Sequence, residues 1–240
     1  MLDLFGKAIL DFQTNNSPSA LVTETNISEA DDMPVAYLFR DFKAMPKLEQ
    51  KALHLAKGKV LDVGCGAGSH SLYLQEKGFG VTAIDISENA IRACQLRGLK
   101  NVYVQNLLDL DAEILQHKFD TILLLMNGTG IFGTVAETSK YLQKLKSLLT
   151  PNGQILIDSS DIIYMFDEGE DGSKWIPTNG YYGELTFTIS YKNQTEEPFP
   201  WLYLDYNMLQ NACYANSLNC ELIMEGEHFD YLAKLIPFCH

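Results

Sequence analysis

Lys59-Val60-Leu61-Asp62-Val63-Gly64-Cys65-Gly66-Ala67-Gly68 runs from a short apolar stretch into three alternating glycines, and Ser69 and His70 then begin a helical pattern. A buried strand that feeds a glycine-rich turn and a helix opens a mononucleotide-binding βα unit. The turn must reverse within a few residues and let backbone N–H groups approach a ligand with no Cβ in the way. Asp62 narrows the choice of ligand. A carboxylate at the strand end repels a pyrophosphate and suits a ligand that carries an ammonium group, which argues against a nicotinamide dinucleotide.

Working outward, the pattern alternates. HSLYLQEKG reads as a helix closed by Gly78, VTAID as a second strand, and ENAIRACQLRG as a helix capped by Ser87 with Glu88 in its first turn. NVYVQ is a third strand, followed by a short helix, and FDTILLLM is a fourth. TVAETSKYLQKLKSLL is a long amphipathic helix, and a PNG turn leads to the fifth strand, QILID. Strands alternating with helices imply right-handed crossovers and a parallel sheet covered on both faces. After Asp158 the grammar changes. The acidic loop DEGED leads to GELTFTISYKN and FPWLYLD with no helix between them, which reads as antiparallel pairing. A helix over Tyr206 to Ala215 and the closing strands CELIMEG and HFDYLAKLI end the chain.

The expected fold is therefore α/β: a doubly wound, mostly parallel seven-stranded sheet with an antiparallel closing strand and a small β lid insertion. Residues 1–45 are read as an N-terminal helix (Leu2, Phe5, Ile9, Phe12), a linker or mobile loop over QTNNSPSALVTETNISEADD, and a cap segment. Residues 46–240, opened by Pro46, are read as one domain with the lid at about 160–204.

Composition limits the function. Of 240 residues, 46% are hydrophobic and 20% charged, as in ordinary globular proteins. The net charge of -13 argues against a nucleic-acid partner. Lys140, Lys144 and Lys146 read as the solvated face of a helix. Cys65, Cys94, Cys213, Cys220 and Cys239 are odd in number and lack CxxC spacing, so neither a disulfide framework nor a metal site is expected. MLDLFGKAIL lacks the charge of a secretory signal, and the apolar stretch Ile122 to Met126 is too short to span a bilayer, so a cytoplasmic protein without membrane partners is expected.

The strand ends supply candidate ligand contacts. Asp85 follows Asp62 by 23 positions, where a parallel neighbour returns its carboxyl terminus to the same crevice, and a carboxylate there accepts two ribose hydroxyls. Asn106, with the Leu107 backbone amide, is placed to read an adenine ring, and Asp109 is its rival. Asp62 to Gly68 together with Asp85 resembles the class I S-adenosylmethionine-dependent methyltransferases over roughly Lys59 to Asp158. The segment from Tyr206 onward is similar to that family's antiparallel end. The resemblance implies S-adenosyl-L-methionine as cofactor, with Asp62, Gly64, Cys65, Gly66, Gly68, Asp85, Ile86, Asn106, Leu107 and Asn127 as the site residues. It also implies methyl transfer to a small-molecule acceptor by in-line displacement.

Other readings stand beside this one. Gly128-Thr129-Gly130-Ile131-Phe132-Gly133, with Asp158 later, matches the dinucleotide fingerprint G-x-G-x-x-G, but its place after the fourth strand suits a loop, where Asn127 meets the substrate. Aminopropyl transfer shares the fold, yet the turn reads GCGAG where those enzymes resemble GGGDG. No catalytic base is evident, which keeps open a non-catalytic sensor or scaffold. His70 and His228 read as ordinary surface or capping histidines. Met126-Asn127-Gly128-Thr129 stands where methyltransferases of nucleobases and glutamine carry an Asn-Pro-Pro-Tyr type motif, and the acids of metal-dependent catechol-type enzymes are not found. The aromatics from Tyr164 to Tyr206, including Trp175, Tyr181, Tyr182, Phe187, Tyr191, Phe199, Trp201 and Tyr203, form either a lid over an acceptor pocket or the packing of a small sheet. Tyr37, Phe39 and Arg40 either cap the cofactor or pack.

Overall fold

Two residues of the first core strand show why the central sheet is covered on both faces. Val60 packs with Leu123, Leu156 and Leu232, whereas its neighbour Leu61 packs with Ile122, Ile155 and Ala233. Successive side chains of a strand point to opposite faces, so a strand apolar at both positions needs a layer on each side.

The computed structural model describes residues 2–110, 118–168, 173–176 and 180–238. In chain order the elements are α1 (Leu4–Thr14), β1 (Leu21–Thr25), β2 (Ser28–Met33), α2 (Lys47–Leu55), β3 (Lys59–Val63), α3 (Ser69–Glu76), β4 (Gly80–Asp85), α4 (Glu88–Leu96), β5 (Val102–Val104), β6 (Phe119–Leu124), α5 (Val135–Leu148), β7 (Leu149–Ser160), β8 (Glu184–Tyr191), β9 (Gln194–Thr195), β10 (Phe199–Leu202), α6 (Tyr206–Ala215), β11 (Leu218–Glu225) and β12 (Asp230–Pro237). The large sheet has the order β11-β12-β7-β6-β3-β4-β5. β3, β4, β5, β6 and β7 pair in parallel, and β12 runs antiparallel to both β7 and β11. The strand order reverses at β3, between β4 and β6, so the crevice opens at the carboxyl ends of those strands. This is the seven-stranded α/β architecture expected from the sequence.

Helix α2 buries Leu48, Ala52 and Leu53 on one face of the sheet; α5 buries Leu142, Leu145 and Leu148 on the other, beside Leu209 and Cys213 of α6. No helix among the described residues is long and apolar enough to cross a membrane.

Three local expectations change. The PNG stretch is no separate turn: it lies within β7, where Leu149 pairs with Phe119 and Gln154 with Thr121, so the extra residues form a bulge. The short helix after the third strand begins as a single turn at Leu107–Asp109, and residues 111–117 of that expectation lie outside the described residues, as does part of the acidic loop (169–171). The polar run expected as linker carries β1 and β2. β1 pairs with β8, giving a second, antiparallel sheet of order β10-β8-β1-β2 with β9 on β8. The insertion and the N-terminal segment are thus one sheet. β2, its edge, exposes Glu29, Asp31 and Asp32, charges that discourage edge-to-edge pairing.

α1 fastens this sheet to the core. Asp11 is buried, and its carboxylate accepts from Tyr191 Oη (3.1 Å), Lys192 Nζ (2.7 Å) and Asn16 Nδ2 (2.8 Å). At the other end Asp3 caps α1 through Gly6 N–H and also accepts from Ser87 Oγ and Asn89 Nδ2 at the start of α4. Replacing Asp11 with alanine strands the Tyr191 hydroxyl, whose residue is 1% exposed. Asp11→Ala is expected to cost about 2 kcal/mol in urea denaturation; unchanged stability would show that α1 does not hold the small sheet.

Candidate functional site

The register of β3 against β4 sets Val63 beside Ile84, and the turn that follows is built on that pairing. Gly64 N–H and Cys65 N–H both donate to the Ile84 carbonyl (2.9 and 3.1 Å), and Gly68 N–H donates to Cys65 O (2.7 Å). Gly64, Gly66 and Gly68 have φ of +70°, +52° and +80°, the left-handed region that glycine enters without strain. A Cβ on Gly68 would sit 2.6 Å from Leu99 and 2.9 Å from Cys94 Sγ, whereas a Cβ on Gly66 would point into open space. Gly66 thus faces the crevice and Gly68 faces the packing. The Cys65 side chain turns inward beside Cys94, whose Sγ donates to Gly66 O (3.2 Å). The neighbouring thiol, with burial, holds the Cys65 thiol well above its ordinary range.

Asp85 ends β4 and closes the turn. Its Oδ2 accepts Gly66 N–H and its Oδ1 accepts Ser87 N–H, both at 2.9 Å. Burial pushes its carboxyl up, and the two N–H groups partly offset this. Ile86, next along, is 72% exposed beside it. Asn106 and Leu107 stand at the carboxyl end of β5. The Asn106 side-chain Oδ1 caps the following turn by accepting Leu108 N–H (2.9 Å), Leu107 is buried, and Asp109 is exposed.

Asp62 is recessed, 2% exposed, with Oδ2 accepting from Ser71 Oγ of α3 (2.7 Å). Burial raises its pKa, and His70 and the Ser71 hydroxyl pull it back. His70 is no surface histidine. It is buried with Nε2 2.6 Å from Glu49 of α2, and Glu49 also pairs with the Arg40 guanidinium. Burial opposes the Glu49 charge, yet His70 and Arg40 together bring its pKa below the usual carboxylate value. His228, in contrast, is exposed. Arg40 stacks over the Tyr37 ring at 4.0 Å, and its Nε is a buried side-chain donor without a partner among the described residues. Phe39 packs on Phe12 and on the Arg97 guanidinium.

The loop after β6 forms the opposite wall. Met126 and Asn127 are successive non-glycine residues at φ +67° and +60°, and the Asp158 carboxylate of β7 holds them by accepting Met126 N–H (3.0 Å) and Gly128 N–H (2.9 Å). The Asn127 side chain is tied into the protein: its Oδ1 accepts from Thr129 (3.4 Å) and Ser159 (3.1 Å), and its amide donates to Leu202 O (3.4 Å). The decoy fingerprint is a single turn, Gly128–Phe132, wedged between two partners. Ile131 reaches 3.0 Å from a Cβ placed on Gly64, and a Cβ on Gly130 would lie 2.0 Å from the Trp201 ring of β10. These aromatics pack the small sheet, one of the two alternatives read from the sequence. Phe187 lies 6.0 Å from Trp201 and 6.4 Å from Tyr203 inside the small sheet, and that cluster presses on the loop bordering the crevice.

The structure thus gathers Asp62, Gly64, Cys65, Gly66, Gly68 and Asp85 around one turn and sets Ile86, Asn106 and Leu107 along the next strand ends. Asn127 joins from the far wall. Sequence reasoning missed Glu49, and it treated Asp158 only as the acid of a decoy motif. The available signal was a lone glutamate beside the apolar stripe Leu48, Ala52 and Leu53. Among the described residues no group of His, Cys, Asp and Glu forms a metal site, and the four described cysteines are free.

Residues 54–212, roughly two thirds of the chain, match the family described as "Methyltransferase domain". The chain is 44% identical to an S-adenosylmethionine-dependent methyltransferase from Bacteroides fragilis, solved in complex with S-adenosyl-L-homocysteine. That match covers 98% of this chain and 95% of the other, with a TM-score of 0.89. Among curated proteins it is 30% identical over 104 residues to the putative methyltransferase YqeM of Bacillus subtilis (strain 168), covering 42% of each. It is 27% identical over 119 residues to the glycine/sarcosine N-methyltransferase of Halorhodospira halochloris, covering 48% of this chain and 44% of that one. The matched region spans less than half the length of these curated relatives.

The two glycines separate packing from ligand space. Gly68→Ala is expected to destabilise the fold by about 2 kcal/mol through the Leu99 and Cys94 clash and the positive φ. Gly66→Ala, with φ strain alone, should cost about 1 kcal/mol. Thermal and urea unfolding check the order, and equal losses would contradict it.

Proposed function

The chain belongs to the methyltransferase domain family as an S-adenosylmethionine-dependent methyltransferase, and from that premise we propose that its acceptor is a small molecule, methylated by in-line displacement inside a lidded crevice. The observation that carries this reading is the packing of Trp201 on Gly130: the small sheet closes over the wall opposite the glycine turn. Such a lid suits an acceptor that is enclosed and not a polymer that must thread through. The net charge of -13 also disfavours a polyanionic acceptor, and a relative named for glycine and sarcosine N-methylation acts on small amines.

The residues present fit the cofactor. Each Asp85 oxygen accepts one N–H and keeps lone-pair capacity for a ribose hydroxyl. Gly66 leaves room for a ligand against its backbone, and the exposed Ile86 offers an apolar face for adenine, with Asn106 and the Leu107 amide at the ring edge. Asp62 favours the ammonium group of the amino-acid end. The unpaired Arg40 Nε is a donor for its carboxylate, with Tyr37 as the platform that fixes the guanidinium. S-adenosylmethionine supplies a methyl group already activated on a sulfonium. The protein's part is to align acceptor, methyl and sulfur and to exclude water. An amine acceptor needs only to arrive deprotonated, which agrees with a site without an obvious general base. A cytoplasmic setting completes the reading.

Two measurements test it. Calorimetry with S-adenosylmethionine should show affinity falling at least about tenfold in Asp85→Ala, since two charge-assisted hydrogen bonds are lost; unchanged affinity would place the ribose elsewhere. A panel of small amines, hydroxy compounds, RNA and proteins, read by S-adenosylhomocysteine formation, should give turnover among the small molecules. Turnover confined to the macromolecules would overturn the acceptor class.

A further inference from the structure

Asp158 is a buried carboxylate that the fold uses in an unusual way. It sits at the carboxyl end of β7, 8% exposed, and spends both oxygens on the backbone of the β6 loop, holding two successive left-handed residues in place. That loop abuts the glycine turn through Ile131, and the register of β3, β6 and β7 sets Asp158 two strands from the turn at the same carboxyl edge of the sheet. Yet Asp158 has no ion-pair partner among the described residues, and Arg40 and His70 both pair with Glu49 instead. Among the described residues, Glu49 of α2, His70 of α3 and Tyr203, just past β10, are the titratable groups whose electrostatic influence couples to Asp158.

We propose that Asp158 is the electrostatic counterpart of the donor's sulfonium charge, so that the site binds S-adenosylmethionine with release of a proton and binds the neutral product without one. The proposal rests on the donor assignment above and adds to it a basis for discriminating donor from product. A buried anion compensated by only two peptide dipoles is poorly stabilised, and a fixed cation brought into the same crevice favours its charged form. In agreement with this, burial pushes the Asp158 carboxyl up to about 7, with Gly128 and Met126 N–H opposing the rise and Glu49 adding to it. Near neutral pH the group is then part protonated in the free protein. A positive charge nearby lowers that pKa, so binding expels the proton. Loss of the methyl group removes the charge, the proton returns, and the preference for the donor disappears. The two ligands share the same amino and carboxylate groups, so the difference between them isolates the charge on sulfur.

The test is calorimetry on the full chain with S-adenosylmethionine and with S-adenosylhomocysteine, at pH 7.0, in buffers of differing ionisation enthalpy. About half a proton should leave per S-adenosylmethionine bound, and none per S-adenosylhomocysteine. For a lowering of one pKa unit, the preference for donor over product should rise about fivefold between pH 6 and pH 8. In Asp158→Asn the proton release and the pH dependence of the preference should both vanish. Equal proton release with both ligands would overturn the proposal. So would a release that persists in Asp158→Asn, which would assign the proton to Asp62 or Asp85. If the variant fails to fold, the wild-type chain labelled with 13C-methyl methionine gives the answer. The Met126 signal, assigned through Met126→Leu, should titrate near pH 7 when free and lower with S-adenosylmethionine only; one midpoint for both ligands would sink the idea. Failure of both ligands to bind would instead refute the donor assignment.

Discussion

The pairing of β3 with β4, which sets Val63 against Ile84, is the constraint on which the site depends. Because the Ile84 carbonyl takes the N–H groups of both Gly64 and Cys65, the chain cannot leave β3 by any other path, and Gly66 is delivered onto the Asp85 carboxylate. A slip of one residue would turn every side chain of β3 to the opposite face and break both layers at once, so core packing enforces the geometry of the turn. Stability and ligand geometry are here the same set of contacts.

The crevice is electrostatically one-sided. Asp62 and Asp85 have carboxyls raised chiefly by burial, and Asp158 at the end of β7 is in the same state, while Arg40 and His70 both pair with Glu49. A site so built holds unspent negative potential, which suits a cofactor that brings its own positive charge. Polar backbone groups do what side-chain cations would otherwise do: the N–H groups of Gly66, Ser87, Met126 and Gly128 hold the anions in position without cancelling them.

The small antiparallel sheet is less an insertion than a shared structure. β8 recruits β1, and α1 reaches from Asp11 beneath Tyr191 and Lys192 to Asp3 beside Ser87 and Asn89, one turn from the Asp85 strand end. A single helix thus touches both the small sheet and the start of α4. It gives the N-terminal segment a mechanical part in the site that its polar composition concealed.

By itself the sequence determined the alternation of strand and helix, the parallel sheet, and the turn from Asp62 to Gly68 with Asp85 after it. Periodicity and glycine chemistry are local properties, legible wherever a residue's role is set by its neighbours in the chain. What only the tertiary structure decided lies in long-range pairing. β1 and β2 were hidden in a polar run because their partner, β8, lies more than 150 residues away and supplies the hydrogen bonds that local propensity lacked. Glu49 and His70 found each other only when α2 crossed α3, and Asp158 acquired its role only when β7 was laid beside β6 and its carboxylate met two backbone donors of the neighbouring loop. A buried charge has no signature in sequence, because its energy is set by what surrounds it in space and not by what precedes it in the chain.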